Sequence, residues 1–203
     1  MDIIKVEKHS AEELLARLRR VGMFTDPARH VYRDCTISLE KIRPEFLSPP
    51  QTYVLTGELL KVRQLRWALR EHGIDLFALN GYVSIYLAGC DEPVDVLPPV
   101  VEESIEADGR PHLLICDGMH RVTLARQENI IPQVIYVRGL PADLPYYAYP
   151  VPGGWAAVEM REDLPPGYIK KWHRIKNYKT LYRDFNTAFQ NVGGPRGNFV
   201  KQG

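Results

Sequence analysis

The stretch LLICDGMHRVTLA, residues 113–125, decides the fold of this chain. Its apolar start runs directly into Asp117 and Gly118, and a helical pattern begins with the basic pair His120 and Arg121. A short apolar run, an Asp-Gly pair and helical periodicity predict a buried strand, a tight turn and a helix. The first turn of a helix has unpaired backbone N–H groups and the positive end of the helix dipole. The sequence therefore predicts an anion site here, and phosphate is the expected anion because it suits arginine.

Patterns on both sides of this unit predict further helices and strands. Ser10 and Glu13 form a capping box before an amphipathic helix that should end near Gly22. Asn129 should end the helix that starts after the turn, and the Gly-rich tail from Gly193 is predicted to be mobile. Periodicity and breaker residues also predict strands over 35–39, 82–87 and 134–137, helices over 57–72 and 167–189, and a turn over 107–111.

Composition restricts the class of protein. The 203 residues, 45% of them hydrophobic, suit one domain of ordinary size with an appendage. With a net charge of +1, the chain as a whole does not attract nucleic acid or membranes electrostatically. Binding to either partner would need a local patch of positive charge. Three distant cysteines lack metal or disulfide spacing, which favours a reducing, cytoplasmic compartment. We expect no membrane partner, because there is no secretory pattern and no run of about 18 apolar residues.

The signature at residues 117–121, Asp-Gly-Met-His-Arg, resembles the ParB/sulfiredoxin superfamily. It is most similar to the free serine kinase type, whose signature is Asp-Gly-His-His-Arg, and it differs only at Met119. Residues 38–45 look like the strand-and-proline segment that opens this fold, and residues 98–101 look like the strand before the signature. The resemblance covers roughly residues 35–140, with an insertion near 50–95.

Differences from other members of the superfamily restrict the range of expected activities. Met119 stands where sulfiredoxins carry the nucleophilic cysteine, and a thioether cannot form a thiolate. Cys116 lies three residues too early to replace it, so sulfiredoxin activity is not expected. Chromosome-partitioning members carry Gly-Glu-Arg-Arg, and Met119 and His120 depart from both central residues. A CTP-gated DNA clamp is therefore less expected than a kinase.

The resemblance implies an α/β (α+β) fold, with a small mixed sheet and helices. We predict a nucleotide-binding core over residues 33–145, preceded by an N-terminal helix and connector over 1–32. Residues 146–203 should form an aromatic loop, a basic C-terminal helical extension and the mobile tail. The aromatic residues of that loop either line a substrate pocket or anchor the loop to the core, and the pattern leaves both open: Tyr146, Tyr147, Tyr149 and Trp155.

The resemblance also implies the chemistry of the site. The protein would be a phosphotransferase that uses ATP or ADP with Mg²⁺ to phosphorylate a hydroxyl of a free amino acid, a sugar or a nucleoside. Asp117 would hold the metal, since Mg²⁺ takes oxygen ligands beside phosphates, or it would orient the acceptor; otherwise it caps the helix. The residues assigned to the nucleotide are Gly118, Met119, His120, Arg121 and Thr123.

Glu45, directly after Pro44, is the predicted general base, and the catalytic group would consist of Glu45, Asp117 and His120. Rival carboxylates are Glu58, Glu102 and Glu103. The arginines of the 57–72 helix are expected to form a solvated face: Arg63, Arg66 and Arg70.

A nucleotide-gated DNA- or RNA-binding protein of the ParB type, using CTP or ATP, is the alternative function. Residues 170–183 mix cations with aromatic side chains, which suits phosphate neutralisation and base stacking. The competing interpretation is an amphipathic helix that packs Trp172 and Ile175 on the core. A non-catalytic nucleotide sensor is a third possibility, and the sequence leaves the oligomeric state open.

Overall fold

The structure is a computed structural model that describes residues 1–107 and 109–194. The predicted turn over 107–111 and the predicted mobile tail therefore lie partly or mostly outside the described residues. The helices are α1 Ala11–Leu18, α2 Thr56–Glu71 and α3 Met119–Gln127. The strands are β1 Ile3–His9, β2 Gly22–Met23, β3 Asp26–His30, β4 Thr36–Lys41, β5 Leu47–Ser48, β6 Tyr53–Leu55, β7 Tyr82–Leu87, β8 Val94–Val96, β9 Val100–Ile105, β10 Pro111–Asp117, β11 Gln133–Arg138, β12 Glu159–Arg161 and β13 Arg183–Asp184.

A five-stranded mixed sheet in the order β4-β11-β9-β10-β5 forms the centre of the molecule. Strand β9 pairs antiparallel with β10 and parallel with β11. The sheet forms because β-branched and apolar residues on β9, β10 and β11 are buried, among them Val100, Ile115 and Ile135. This arrangement places β10, at whose end the signature begins, between β9 and the edge strand β5.

The insertion builds a second wall beside this sheet. It contributes α2 and the strands β7 and β8, as well as the short β6 that pairs with β12. Strand β1, which the sequence patterns did not predict, pairs antiparallel with β7 along its whole length. Helix α2 packs against α3. The mixed sheet with helices confirms the predicted fold class.

The helix predicted over 167–189 does not form. The segment has short 3₁₀ turns at Tyr178–Leu181 and Phe185–Thr187 and the two-residue strand β13. Its backbone bonds to distant parts of the chain instead: Tyr149 N–H donates to the Trp172 carbonyl, and Arg174 N–H to the Tyr147 carbonyl, both at 2.9 Å. These tertiary hydrogen bonds replace helical ones, and the predicted C-terminal helical extension is therefore wrong.

Residues 1–32 and 146–194 share one hydrophobic cluster with the central sheet. Leu14 and Leu18 of α1 pack there with Leu114 of β10 and with Tyr146 and Phe185. Since these side chains are buried together, the N-terminal and C-terminal segments complete the core of the sheet. In the described ranges, no helix is long and apolar enough to cross a membrane.

The prediction of a solvated arginine face on α2 is wrong for Arg66. It is 8% exposed, forms an ion pair with Glu128 and places its guanidinium 4.9 Å from the centre of the Phe77 ring. Arg66 therefore joins α2 to the end of α3, whereas Arg63 and Arg70 remain on the outer side.

Candidate functional site

The predicted strand, turn and helix at residues 113–125 are confirmed. Strand β10 ends at Asp117, Gly118 adopts the left-handed conformation with a φ of 86°, and α3 begins at Met119. No side chain of the described residues caps the start of α3. The N–H groups of its first turn therefore have no side-chain acceptor there. The geometry is that of an anion-binding turn.

Gly118 is required by its surroundings as well as by its φ. A Cβ at this position would lie 2.9 Å from the Pro99 Cβ and 3.0 Å from nitrogen atoms of the Arg121 guanidinium. The absence of a side chain therefore lets β10, α3 and the Pro99 segment approach closely.

We expect Gly118→Ala to lower the free energy of unfolding by about 1–3 kcal/mol, because a non-glycine residue is strained in this region. Chemical denaturation would measure the loss. Gly89→Ala is the matched control, since Gly89 has a φ of 76° but open space around it. The loss should be larger at Gly118, and equal losses would show that the contacts with Pro99 and Arg121 have no effect.

Arg121 and Asp117 form an ion pair across the turn. One Arg121 Nη donates to Asp117 Oδ2, and the other donates to the Leu97 carbonyl. The guanidinium side chain is more buried than the carboxylate, so its orientation is fixed by these two acceptors. Asp117 thus orients the Arg121 guanidinium at the site, and the Asp117 carboxylate can also contact a ligand directly.

His120 joins the start of α3 to the start of α2. Its Nε2 accepts a hydrogen bond of 3.3 Å from the Leu55 backbone N–H. Burial lowers the pKa of His120, and the nearby Arg121 adds to that effect. The imidazole is therefore neutral at pH 7, with its proton on Nδ1. Consequently it can donate one hydrogen bond but supplies no permanent positive charge.

Met119 and Thr123 lie on the inner side of α3. The Met119 side chain packs in a core cluster, although the residue also lines the site. Thr123 is buried, and its hydroxyl donates to the Met119 carbonyl at 2.8 Å. The structure gives Thr123 a role within the helix and does not place it on a cavity wall at the turn.

The predicted general base does not line the cavities at the turn. Glu45 is exposed on the 3₁₀ turn Pro44–Phe46 and pairs with Arg43 at 3.6 Å. Two of its rivals are also engaged elsewhere, because Glu102 binds Arg183 and Glu103 accepts from the Tyr136 hydroxyl. Glu58, at the start of α2, is the rival that lines a cavity beside the turn, where it pairs with Lys61.

Three cavities meet at the signature turn, and Asp117 lines all of them. The largest, about 490 Å³, lies between the turn, α2 and the strands β7 and β8. The second, about 310 Å³, opens toward the exposed aromatic pair Phe24 and Tyr182. The smallest, about 210 Å³, is lined by the turn, Tyr146 and Tyr147, and Lys171.

Among the aromatic residues of the predicted loop, Tyr146 and Tyr147 line the smallest cavity. Trp155 instead donates to the Pro44 carbonyl at 2.8 Å, which anchors the loop, and Tyr149 is exposed. Sequence reasoning missed Lys171 as a site residue. The signal that could have found it is the cation-and-aromatic segment in which it lies, but only the fold turns this side chain inward.

The described residues contain no group of three or more His, Cys, Asp or Glu side chains that could hold a metal ion. Asp117 would be the one carboxylate at the turn. Mg²⁺ is commonly held by one or two carboxylates together with substrate phosphates and water. The site therefore fits a metal ion that arrives with phosphates better than one that the protein holds alone.

The mixed sheet and the glycine turn before α3 define a ParB-like protein. The family described as the ParB CE domain matches residues 13–159. Because this match spans well over half of the 203 residues, the chain belongs to that family. Neither a curated protein nor a solved structure matches the chain significantly.

Proposed function

We propose that this chain is a nucleotide-dependent nucleic-acid-binding protein of the ParB type. One observation carries the proposal: the basic segment of residues 170–179 contributes Lys171 to a cavity that the signature turn also lines. Lys171 lines the small cavity at the turn, whereas its neighbours Lys170 and Trp172 are exposed on the outside. One stretch of backbone thus contributes both to the cavity at the turn and to an outer surface suited to nucleic acid.

The largest cavity supports nucleotide binding. Its volume of about 490 Å³ lies within the range of roughly 300–1,000 Å³ that is usual for small-molecule sites. One side is apolar, with Val62, Ile85 and Val96, and suits a base. The other side is Gly118 with Arg121, where the N–H groups and the guanidinium suit phosphates. Mg²⁺ would bind at Asp117 together with those phosphates.

The outer surface of the basic segment supports nucleic-acid binding. No Asp or Glu occurs between Tyr168 and Arg183. Trp172 is 56% exposed and Ile175 is 44% exposed, so they do not pack on the core as an amphipathic helix would require. Exposed lysines flank them at positions 170, 176 and 179. Exposed aromatic side chains among cations suit stacking on bases beside phosphate contacts.

The first experiment is a thermal-shift screen of ATP, ADP, CTP and GTP with Mg²⁺. A nucleotide at 100 times its dissociation constant should stabilise the fold by about 2.7 kcal/mol. Binding to single- and double-stranded DNA and RNA is then measured with and without that nucleotide. A change in affinity on nucleotide addition supports the proposal, and nucleic-acid binding that is absent under every condition contradicts it.

The salt dependence of nucleic-acid binding should report on the lysines of the segment. Each phosphate contact on duplex DNA contributes about 0.9 to the slope of log affinity against log salt concentration. We therefore expect the triple variant Lys170→Ala, Lys176→Ala and Lys179→Ala to reduce that slope by about 2 to 3. Lys5→Ala with Lys8→Ala, on β1, is the control and should leave the slope unchanged.

Phosphoryl transfer to a hydroxyl of a small molecule is the second candidate function. The observation in its favour is Asp117, whose carboxylate lines all three cavities at the turn. This function would need a general base at the turn, whereas Glu45, the residue predicted for that role, is exposed and pairs with Arg43. Turnover of ATP or ADP that depends on added serine, a sugar or a nucleoside would favour this function over nucleic-acid binding.

A further inference from the structure

The half-buried side chain of Lys171 lines the smallest cavity at the turn. Its Nζ donates to the Tyr147 hydroxyl at 2.6 Å and to the Tyr146 hydroxyl at 3.2 Å. The Tyr146 hydroxyl in turn donates to the Cys116 carbonyl at 3.1 Å. The ammonium also lies 4.8 Å from the centre of the Tyr147 ring. These contacts hold Lys171 in place through neutral groups.

The other charges around this cavity are already compensated. Arg183 forms two hydrogen bonds with the Glu102 carboxylate, and Asp117 is paired with Arg121. His120 is neutral, because burial lowers its pKa. The tyrosines keep their protons, because burial raises the pKa of Tyr146 and of Tyr147.

Among the described residues that line the cavity, Lys171 is therefore the cation without a carboxylate within 4 Å. An ammonium group has three N–H donors, and the two phenol oxygens accept two of them. A half-buried cation with a free donor attracts an oxyanion, because partial burial reduces the screening of the interaction by water.

We infer that the Lys171 cavity is a binding site for a phosphate-class oxyanion. The inference deepens the proposed function, because the cavity and the nucleotide cavity share the wall from Asp117 to His120. At about 210 Å³ it is too small for a whole nucleotide but large enough for one phosphoryl group. The anion is either the terminal phosphoryl group of the nucleotide or a free phosphate.

The electrostatic cost of Lys171 argues against a purely structural role. Burial lowers the pKa of Lys171 to about 8, which means that the fold disfavours its charged form. A lysine that served only the fold would be stabilising, and its removal would destabilise the protein. Lys171→Met should instead leave the unfolding midpoint of the ligand-free protein unchanged or raise it.

The test compares the full-length wild type with Lys171→Met and with Lys170→Met, the matched control from the exposed neighbouring position. Calorimetry measures binding of the nucleoside triphosphate selected by thermal shift, of its diphosphate and of inorganic phosphate. If the terminal phosphoryl group is the anion, Lys171→Met should weaken triphosphate binding at least tenfold and diphosphate binding less than threefold. If free phosphate is the anion, the wild type should bind phosphate and Lys171→Met should not.

Lys171→Arg keeps the cation and should retain anion binding within threefold, which separates charge from packing. The inference is overturned if all three ligands bind equally to the wild type and to Lys171→Met. It is also overturned if Lys171→Met lowers the unfolding midpoint without changing any affinity. Phosphate binding through Lys171 in a protein that binds no nucleotide would support the oxyanion site while contradicting the proposed function.

Discussion

Replacing Glu102 by Gln is expected to lower the free energy of unfolding by about 3–5 kcal/mol, the range for breaking a buried ion pair on one side. The Glu102 residue is 0% exposed, and the Arg183 side chain is 1% exposed. Their two hydrogen bonds are both 2.9 Å long, and the Tyr32 hydroxyl donates to the same carboxylate at 2.7 Å. Gln keeps the shape but removes the charge that compensates Arg183.

The loss should be large because Glu102 is the carboxylate that pairs with Arg183 in the part of the chain that the structure describes. Its remaining N–H groups donate to the carbonyls of Leu144, Pro145 and Leu181 at 2.6–2.9 Å, so all five donors are used. Burial alone would lower the pKa of Arg183, but Glu102 and Tyr32 raise it above its ordinary value. Because arginine does not lose its proton in proteins, the Arg183 guanidinium remains charged in the variant, without a counter-ion.

Urea denaturation of Glu102→Gln measures this effect, and Glu159→Gln is its matched control. Glu159 pairs with Arg161 at the surface, where such pairs contribute about 0–1 kcal/mol. The double variant Glu102→Leu with Arg183→Met should regain much of the stability, because apolar replacement of a buried pair is often neutral. A loss below 1 kcal/mol in Glu102→Gln would show that the pair does not hold the C-terminal segment.

Arg121→Ala is expected to weaken nucleotide binding about 10- to 100-fold. Hydrogen bonds to charged groups contribute about 1.5–3 kcal/mol, and each 1.4 kcal/mol corresponds to a tenfold change in affinity. Arg121 lines the largest cavity, and Asp117 with the Leu97 carbonyl holds its guanidinium in place before a ligand arrives. Calorimetric titration with the nucleotide selected by thermal shift would measure the loss.

The control for this variant is Arg126→Ala on the same helix. Arg126 is exposed, lies 5.3 Å from the centre of the Trp155 ring and does not line the cavities at the turn. Its replacement should change nucleotide affinity less than threefold. If both variants bind the nucleotide as the wild type does, the phosphates do not bind at the signature turn.

The signature unit could be predicted because its determinants are local. An apolar run, a glycine that accepts a φ of 86° and a helical pattern specify strand, turn and helix within 15 residues. Asn129 ends α3 with a φ of 54°, as its position suggested. Helix α2 and strand β7 were likewise confirmed: α2 buries Leu59 and Leu69 of the predicted apolar stripe, and β7 buries residues 82–85.

The partners of the site residues could not be predicted in the same way. Asp117 was expected beside a metal ion and is found paired with Arg121. Glu45 follows its proline as the resemblance suggested, but the 3₁₀ turn at Pro44–Phe46 leaves its side chain exposed. Side-chain partners depend on which surfaces meet in space, and a single sequence does not contain that information.

The sequence by itself determined the mixed fold class, the strand, turn and helix at residues 113–125 and the basic, aromatic character of residues 170–183. Only the tertiary structure decided that this segment is not helical and that Lys171 turns inward while Trp172 stays outside. The physical reason is competition for hydrogen bonds: the backbone of Tyr147 and Tyr149 pairs with backbone groups of Arg174 and Trp172 that a helix would otherwise pair locally. Contacts over such distances form only when the whole core assembles.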